Sequence, residues 1–186
     1  MVSLSALVVP VLVSAVLVFV MSSLIHMASP WHKSDYPKFE KQDALLDAMR
    51  PLAPPPGDYF MPRADDMKDL GSAAFIEKMN KGPVVVMTVF KNGPMSMARN
   101  LSLWFAYSAV VAFFAAYVAS RALGFGAPYL KVFQIVGTTA FLGYSGALAQ
   151  MSIWYGRSWK MTLKSSLDGL IYAMLTGGAF GWLWPR

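Results

Sequence analysis

Four long stretches without a charged side chain constrain this chain more than any other feature of its sequence. They cover residues 1–32, 100–120, 132–156 and 169–185, and they hold 32, 21, 25 and 17 residues. A membrane-spanning helix needs about 20 apolar residues, because each adds about 1.5 Å toward a hydrocarbon layer about 30 Å thick. The sequence therefore predicts four transmembrane helices, the fourth of them short.

The tryptophans support this interpretation. All six lie at or near an end of one of the stretches. Indole is apolar apart from its N–H, so Trp concentrates in the headgroup layer of a bilayer. We expect six interface anchors, with four on one side of the bilayer and two on the other: Trp31, Trp104, Trp154 and Trp159, then Trp182 and Trp184.

Composition excludes several classes of protein. The chain is 56% hydrophobic and 14% charged, whereas about a quarter of the residues in a soluble domain are charged. The net charge of +6 is what basic residues beside membrane helices produce, so no nucleic-acid partner is expected. Cysteine is absent, which rules out disulfides, iron–sulfur clusters and thiolate metal sites.

Basic residues predict the orientation. Eight lie near the ends of the stretches on the side of the first and third loops: Lys33, Lys38, Lys41, Lys91, Arg99, Arg157, Lys160 and Lys164. Three lie on the other side: Arg121, Lys131 and Arg186. The positive-inside rule then places both termini in the periplasm and residues 31–98 in the cytoplasm. Because no basic side chain precedes the first stretch, we expect an uncleaved anchor rather than a signal peptide.

The expected fold is an all-α membrane protein of four transmembrane helices, with a small, proline-rich α+β insertion between helices 1 and 2. Residues 1–30 form the first helix, and residues 99–186 form a three-helix unit with helices at about 100–121, 131–156 and 166–184. The cytoplasmic segment 31–98 has predicted helices at 43–50 and 72–81, the latter capped by Ser72 and ended by Gly82. A β-branched run predicts a strand at 84–90, which pairs within the segment or with a neighbouring chain.

Two faces inside the predicted membrane helices carry distinctive residues. Small residues recur at every fourth position, which lets helix backbones approach closely within this chain or against a partner: Ser108, Ala112, Ala116 and Ser120, then Gly169, Ala173, Gly177 and Gly181. Polar residues of the third helix are spaced to share one face, which predicts interhelical hydrogen bonds or a solute path: Gln134, Thr138, Ser145 and Ser152.

Few residues suggest chemistry. Ser165 and Asp168 precede an apolar run and are interpreted as a helix cap, with Lys160 and Lys164 near enough to pair with Asp168. His26 could contact a haem or a pigment magnesium. Since His26 and His32 are six residues apart, they are expected to point to different faces, and no metal site is expected. No catalytic constellation is found.

Several short motifs carry a resemblance. They are W-H-K-S-D-Y (31–36), P-P-G-D-Y (55–59), S-I-W-Y (152–155), D-G-L-I-Y (168–172) and F-G-W-L-W-P (180–185). With these motifs the chain resembles, over nearly its whole length, a family of small uncharacterised bacterial inner-membrane proteins. The resemblance implies a bacterial inner-membrane location and assigns no activity and no functional residue.

The predicted function is a non-catalytic accessory or structural subunit of a larger membrane complex, such as a respiratory or photosynthetic one. Its partners would be membrane lipids and other membrane subunits that pack on the small-residue faces. The alternative is a small oligomeric transporter or channel that uses the polar face of the third helix. A membrane enzyme acting on lipid or quinone is the third possibility. No cofactor is predicted beyond bound lipid or the His26 contact.

Overall fold

The structure is a computed structural model that describes all residues from Met1 to Arg186. It is mostly helical, and it divides into two compact units. The first unit combines Met1–Pro37 with Ser96–Arg186, and the second is Lys38–Met95.

The first unit contains three helices that are long and apolar enough to cross a membrane: Leu4–Ala28, Met97–Ala122 and Tyr129–Tyr155. The first of these begins with a 3-10 turn, Leu4–Leu7, continues as α1, Val8–Ser23, and ends in a π-helical turn, Leu24–Ala28. The second is α4, Met97–Ala122. A multi-pass membrane protein is therefore confirmed at the level of length and composition.

A fourth long helix, α7, runs from Trp159 to Leu183. It begins seven residues before the predicted start at 166, and so it includes Lys160 and Lys164 as well as Asp168. Charged side chains in its first half and glycines in its second half lower its hydropathy, and α7 is not one of the three apolar helices. The predicted fourth span is thus present as a helix, but not as an apolar one.

The third predicted helix is interrupted. It consists of α5, Tyr129–Ser145, and α6, Leu148–Tyr155. A Cβ at Gly146 would lie 2.6 Å from the carbonyl oxygen of Leu142, so this break needs glycine. Gln134 and Thr138 are exposed, whereas the two serines of the predicted polar face, Ser145 and Ser152, are buried. The predicted polar face thus differs in exposure along its length, because α7 covers its second part: a Cβ at Gly169 would clash with Ser145 Oγ, and Ser152 Oγ is 2.7 Å from Thr162 Oγ1.

The small-residue faces lie inside this unit. Ser108, Ala112, Ala116, Ser120, Gly169, Ala173 and Gly177 are buried, and Gly181 is half-buried against the ring of Tyr129. They pack among two groups of buried apolar side chains, one containing Leu7, Val132 and Phe180 and the other containing Val18, Ala140 and Tyr172. The intramolecular interpretation of these faces is the one that the structure supports.

Two of the six predicted tryptophan anchors use their indole N–H inside the protein. Trp104 Nε1 donates to Ser22 Oγ at 2.7 Å, and Trp184 Nε1 donates to the carbonyl of Gly124 at 2.9 Å. Trp184 is also buried. The other four tryptophans, Trp31, Trp154, Trp159 and Trp182, are exposed, as interface anchors should be.

The second unit contains α2, Gln42–Met49, and α3, Ala73–Lys81. The predicted cap of α3 is confirmed, since Ser72 Oγ accepts a hydrogen bond from the Phe75 N–H and Gly82, at φ +57°, follows the last turn. The predicted strand is β2, Val85–Val89, and it pairs antiparallel with β1, Gly57–Met61. The strand therefore pairs within its own segment.

Candidate functional site

The loop after α1 returns to the first half of α7, and Lys164 holds it there. Lys164 Nζ donates to the carbonyl oxygen of Trp31 at 2.6 Å, to Ser34 Oγ at 3.1 Å and to Asp35 Oδ1 at 2.7 Å. An ammonium group has three hydrogens to donate. All three therefore have an acceptor, although Lys164 is a buried residue.

His32 lies between two carboxylates. Its Nδ1 is 2.6 Å from Asp35 Oδ2, and its Nε2 is 2.8 Å from Asp168 Oδ2. Each ring nitrogen thus shares a hydrogen bond with one carboxylate, and Lys164 neutralises Asp35 at its other oxygen. Such pairing is what allows charges to be buried at all.

Asp35 is tuned by these neighbours. Hydrogen bonds from Lys164, and secondarily from His32, hold the pKa of Asp35 below its ordinary value, and they outweigh the desolvation that acts in the opposite direction. The Asp35 side chain is 6% exposed. Its negative charge is therefore part of the folded structure.

The predicted helix cap is wrong. The residue that precedes α7 is Ser158, so Ser165 and Asp168 lie in the helix interior and not at its start. Ser165 Oγ accepts a hydrogen bond from the Arg157 guanidinium at 3.0 Å. Lys164 pairs with Asp35 rather than with Asp168, whose partner is His32. In the upstream part of the helix, Lys164 is held by the loop after α1.

His26 and His32 do not point to different faces. Their rings are stacked, with centroids 4.3 Å apart and planes 9° apart. The helix ends at Ala28, and the loop carries His32 back over the π-helical turn that contains His26. One ligand atom each from His26, His32 and Asp168 lie within 4.8 Å of one another. The expectation that excluded a metal site therefore rested on a wrong geometry.

A cavity of about 660 Å³ opens beside this cluster, within the same unit. Its lining includes His26, Asp168, Trp104, Tyr144 and Tyr172. The hydroxyls of Tyr144 and Tyr172 are buried and have no hydrogen-bond partner in the protein. Buried polar groups normally find one. The cavity therefore combines apolar walls with polar groups able to bind a ligand.

One feature of the sequence points to this site. Asp168 is the only acidic residue after Glu77, and a lone carboxylate beside an apolar stretch calls for a cationic partner. The pairing of Asp168 with His32 and that of Lys164 with Asp35 were missed, because the two residues of each pair are more than 125 positions apart in the sequence. The W-H-K-S-D-Y and D-G-L-I-Y motifs supply His32, Asp35 and Asp168.

Comparison with protein-family models, with curated proteins and with solved structures finds no significant match to this chain. The resemblance to a family of small bacterial inner-membrane proteins therefore stays a prediction. The same holds for a pigment or haem contact through His26.

Proposed function

We propose that this protein is a non-catalytic accessory subunit of a larger complex in the bacterial inner membrane, such as a respiratory or photosynthetic one. In this proposal the membrane unit is the anchor, and the segment 38–95 contacts other subunits. The chain crosses the membrane four times, with both termini in the periplasm and residues 31–98 in the cytoplasm.

The observation that carries the proposal is the exposure of segment 38–95. It has defined helices and a two-stranded sheet, yet none of its residues is buried. Its large exposed apolar side chains include Leu45, Leu46, Leu52, Phe60, Ile76, Val84, Val86 and Phe90. Exposed apolar surface on this scale is typical of an interaction surface, and two strands alone are marginally stable. A partner that covers the segment would supply the missing burial.

One face of the sheet is the strongest candidate contact. Phe60 and Val86 are cross-strand partners, and both are exposed on the face they share with Asp58 and Thr88. Asp58 Oδ1 accepts a hydrogen bond from Thr88 Oγ1 at 2.6 Å, which fixes the register beside them. An apolar pair next to a polar one is typical of an interface core and its rim.

The paired residues His32, Asp35, Lys164 and Asp168 support the same function. The segment leaves the membrane unit after Pro37, just beyond the loop that Lys164 and Asp168 hold through Asp35 and His32. It returns at Ser96, whose Oγ caps α4 by accepting from the Arg99 N–H at 3.3 Å. The residues of the first unit that connect to the segment on either side are therefore held by hydrogen bonds. This favours binding of the segment to a partner.

The packing of α7 supports a fourth span. A Cβ at Gly177 would lie 2.9 Å from the Phe133 carbonyl oxygen, and one at Gly137 would lie 3.6 Å from that of Ala173. The uncharged half of α7 thus runs beside α5, itself part of an apolar helix. The eight-to-three distribution of basic residues supports the orientation.

The small-residue faces no longer supply the partner contact, because they are occupied within the unit. The transporter alternative relied on a polar face of the third helix, of which Gln134 and Thr138 are exposed whereas Ser145 and Ser152 are buried within the unit. No other feature favours it, and the accessory role remains the better supported one.

Native-gel electrophoresis with mass spectrometry of mild-detergent extracts tests the proposal. The full-length protein should migrate with a defined set of other membrane subunits. The double substitution Phe60→Asp and Val86→Asp should release it from that assembly while leaving its membrane insertion intact. Met67→Asp, which charges an exposed apolar residue outside the sheet, is the matched control and should leave the assembly intact. A lone species of about 20.4 kDa for the unsubstituted protein would refute an accessory role.

A further inference from the structure

We propose that His26, His32 and Asp168 form a binding site for a divalent transition-metal ion, with Zn²⁺ as the representative of the class. Each residue offers one ligand atom, and these atoms lie within 4.8 Å of one another. The three residues come from three different elements: the π-helical turn after α1, the following loop and α7. The site goes beyond the accessory role and does not depend on it.

The hydrogen bonds behind the two histidines are those of metal ligands. His26 Nδ1 is 3.0 Å from the carbonyl oxygen of Ser22, which can only accept, so Nδ1 carries the hydrogen and Nε2 has a free lone pair. His32 Nδ1 is held in the same way by the Asp35 carboxylate, which is in turn held by Lys164. A histidine ligand characteristically donates its second N–H to a carbonyl or carboxylate, which fixes the tautomer and the ring.

Small movements would complete the coordination. A tetrahedral ion with ligand bonds of about 2.1 Å holds its ligand atoms roughly 3.4 Å apart. The widest separation, up to 4.8 Å, would have to shorten by as much as about 1.4 Å, and the 2.8 Å between His32 Nε2 and Asp168 Oδ2 would have to lengthen by about 0.6 Å. An ion held between His32 Nε2 and Asp168 Oδ2 would take the place of the hydrogen bond that now joins these two atoms at 2.8 Å.

The donor set indicates the class of metal. Two imidazole nitrogens and one carboxylate suit Zn²⁺, Fe²⁺ and their first-row neighbours, whereas Mg²⁺ and Ca²⁺ prefer oxygen ligands alone. Three protein ligands leave one tetrahedral position. His26 and Asp168 both line the cavity of about 660 Å³, so the fourth ligand is a water or a polar group of a molecule in that cavity.

The test is Zn²⁺ binding by the full-length protein, purified in detergent without a histidine tag and stripped with a chelator. Isothermal titration calorimetry should show one Zn²⁺ per chain. His26→Gln and Asp168→Asn should each weaken binding at least tenfold, and Asp35→Asn, which removes the acceptor behind His32, should weaken it about 10- to 100-fold. Glu77→Gln, an exposed carboxylate of segment 38–95, is the control and should bind as the unsubstituted protein does.

Folding of each variant is checked by its thermal unfolding midpoint. His26 is exposed and its Nδ1 bonds only a backbone carbonyl, so His26→Gln keeps the test decisive even if Asp168→Asn does not fold. Absence of Zn²⁺ binding by the unsubstituted protein would overturn the proposal. Unchanged affinity in folded His26→Gln would overturn it as well. Either result leaves the accessory role to its own test, which measures assembly rather than metal.

Discussion

Asp35 shows how a single residue of the loop depends on partners that are remote in sequence. Lys164, 129 residues later in the chain, donates to its Oδ1, and His32 donates to its Oδ2. The same carboxylate orients the His32 ring and neutralises a buried ammonium. Removing its charge would leave Lys164 buried without its counterion, and unpaired buried charges are costly.

The lowered pKa of Asp35 predicts a specific pH dependence. A carboxylate whose pKa is depressed in the native state stabilises the fold above its unfolded-state pKa, and that stabilisation is lost as the pH falls through the native-state pKa. The unfolded-state value is near 3.8, so the loss should begin below about pH 5 and continue to lower pH. We expect Asp35→Asn to have a lower unfolding midpoint at neutral pH and a shallower decline on acidification.

Tryptophan fluorescence during heating in detergent measures both midpoints across this pH range. Asp65→Asn, a carboxylate without an ion pair in segment 38–95, is the control and should follow the unsubstituted protein. If the Asp35→Asn and unsubstituted curves were parallel, Asp35 would not carry a native-state charge stabilised by Lys164.

At the scale of elements, α5 and α7 pack against each other more extensively than any other pair of elements, and glycine allows their backbones to approach closely. A Cβ at Gly177 would lie 2.9 Å from the Phe133 carbonyl oxygen and 3.3 Å from the Cα of Gly137. These are backbone atoms, which cannot rotate away. Close approach of this kind is how helices associate in lipid, where no hydrophobic drive acts between them.

We therefore predict that Gly177→Ala destabilises the protein by about 1–3 kcal/mol, the usual cost of overpacking. Gly178→Ala is the matched control, because its Cβ would meet only the Tyr129 hydroxyl oxygen, at 3.6 Å. Alanine there should be neutral or slightly stabilising through helix propensity. Unfolding midpoints in detergent compare the two, and equal effects would contradict the proposed contact.

Sequence patterns predicted the elements that local chemistry determines. The predicted cap Ser72 and the predicted stop Gly82 both bound α3, and the β-branched run became β2. β1 was missed because Gly57–Met61 contains no β-branched residue and forms a strand only through pairing with β2. The early start of α7 was missed because the pairing of Lys164 with Asp35 is a long-range contact. The break at Gly146 was missed because the run 132–156 has no charge and no proline to mark it.

At the scale of the whole molecule, the uncharged stretches predicted helices able to cross a membrane, and three helices are long and apolar enough to do so. The uncharged stretches could not predict that His26, His32 and Asp168 lie together, since nothing in the local sequence pairs His32 with Asp168. The proposed number of crossings and their proposed direction rest on the charge distribution and on helix packing. They are the premise on which the proposed sides of the membrane depend.

Cysteine accessibility tests that premise most directly, because the chain has no cysteine of its own. Single cysteines would replace Ser3, Asp66, Ser158 and Arg186, and a membrane-impermeant maleimide would be added to intact spheroplasts. We predict labelling at positions 3 and 186 in intact cells, and at positions 66 and 158 only after permeabilisation. Labelling of positions 158 and 186 from the same side would show that α7 does not cross, and labelling of position 66 from outside would invert the orientation.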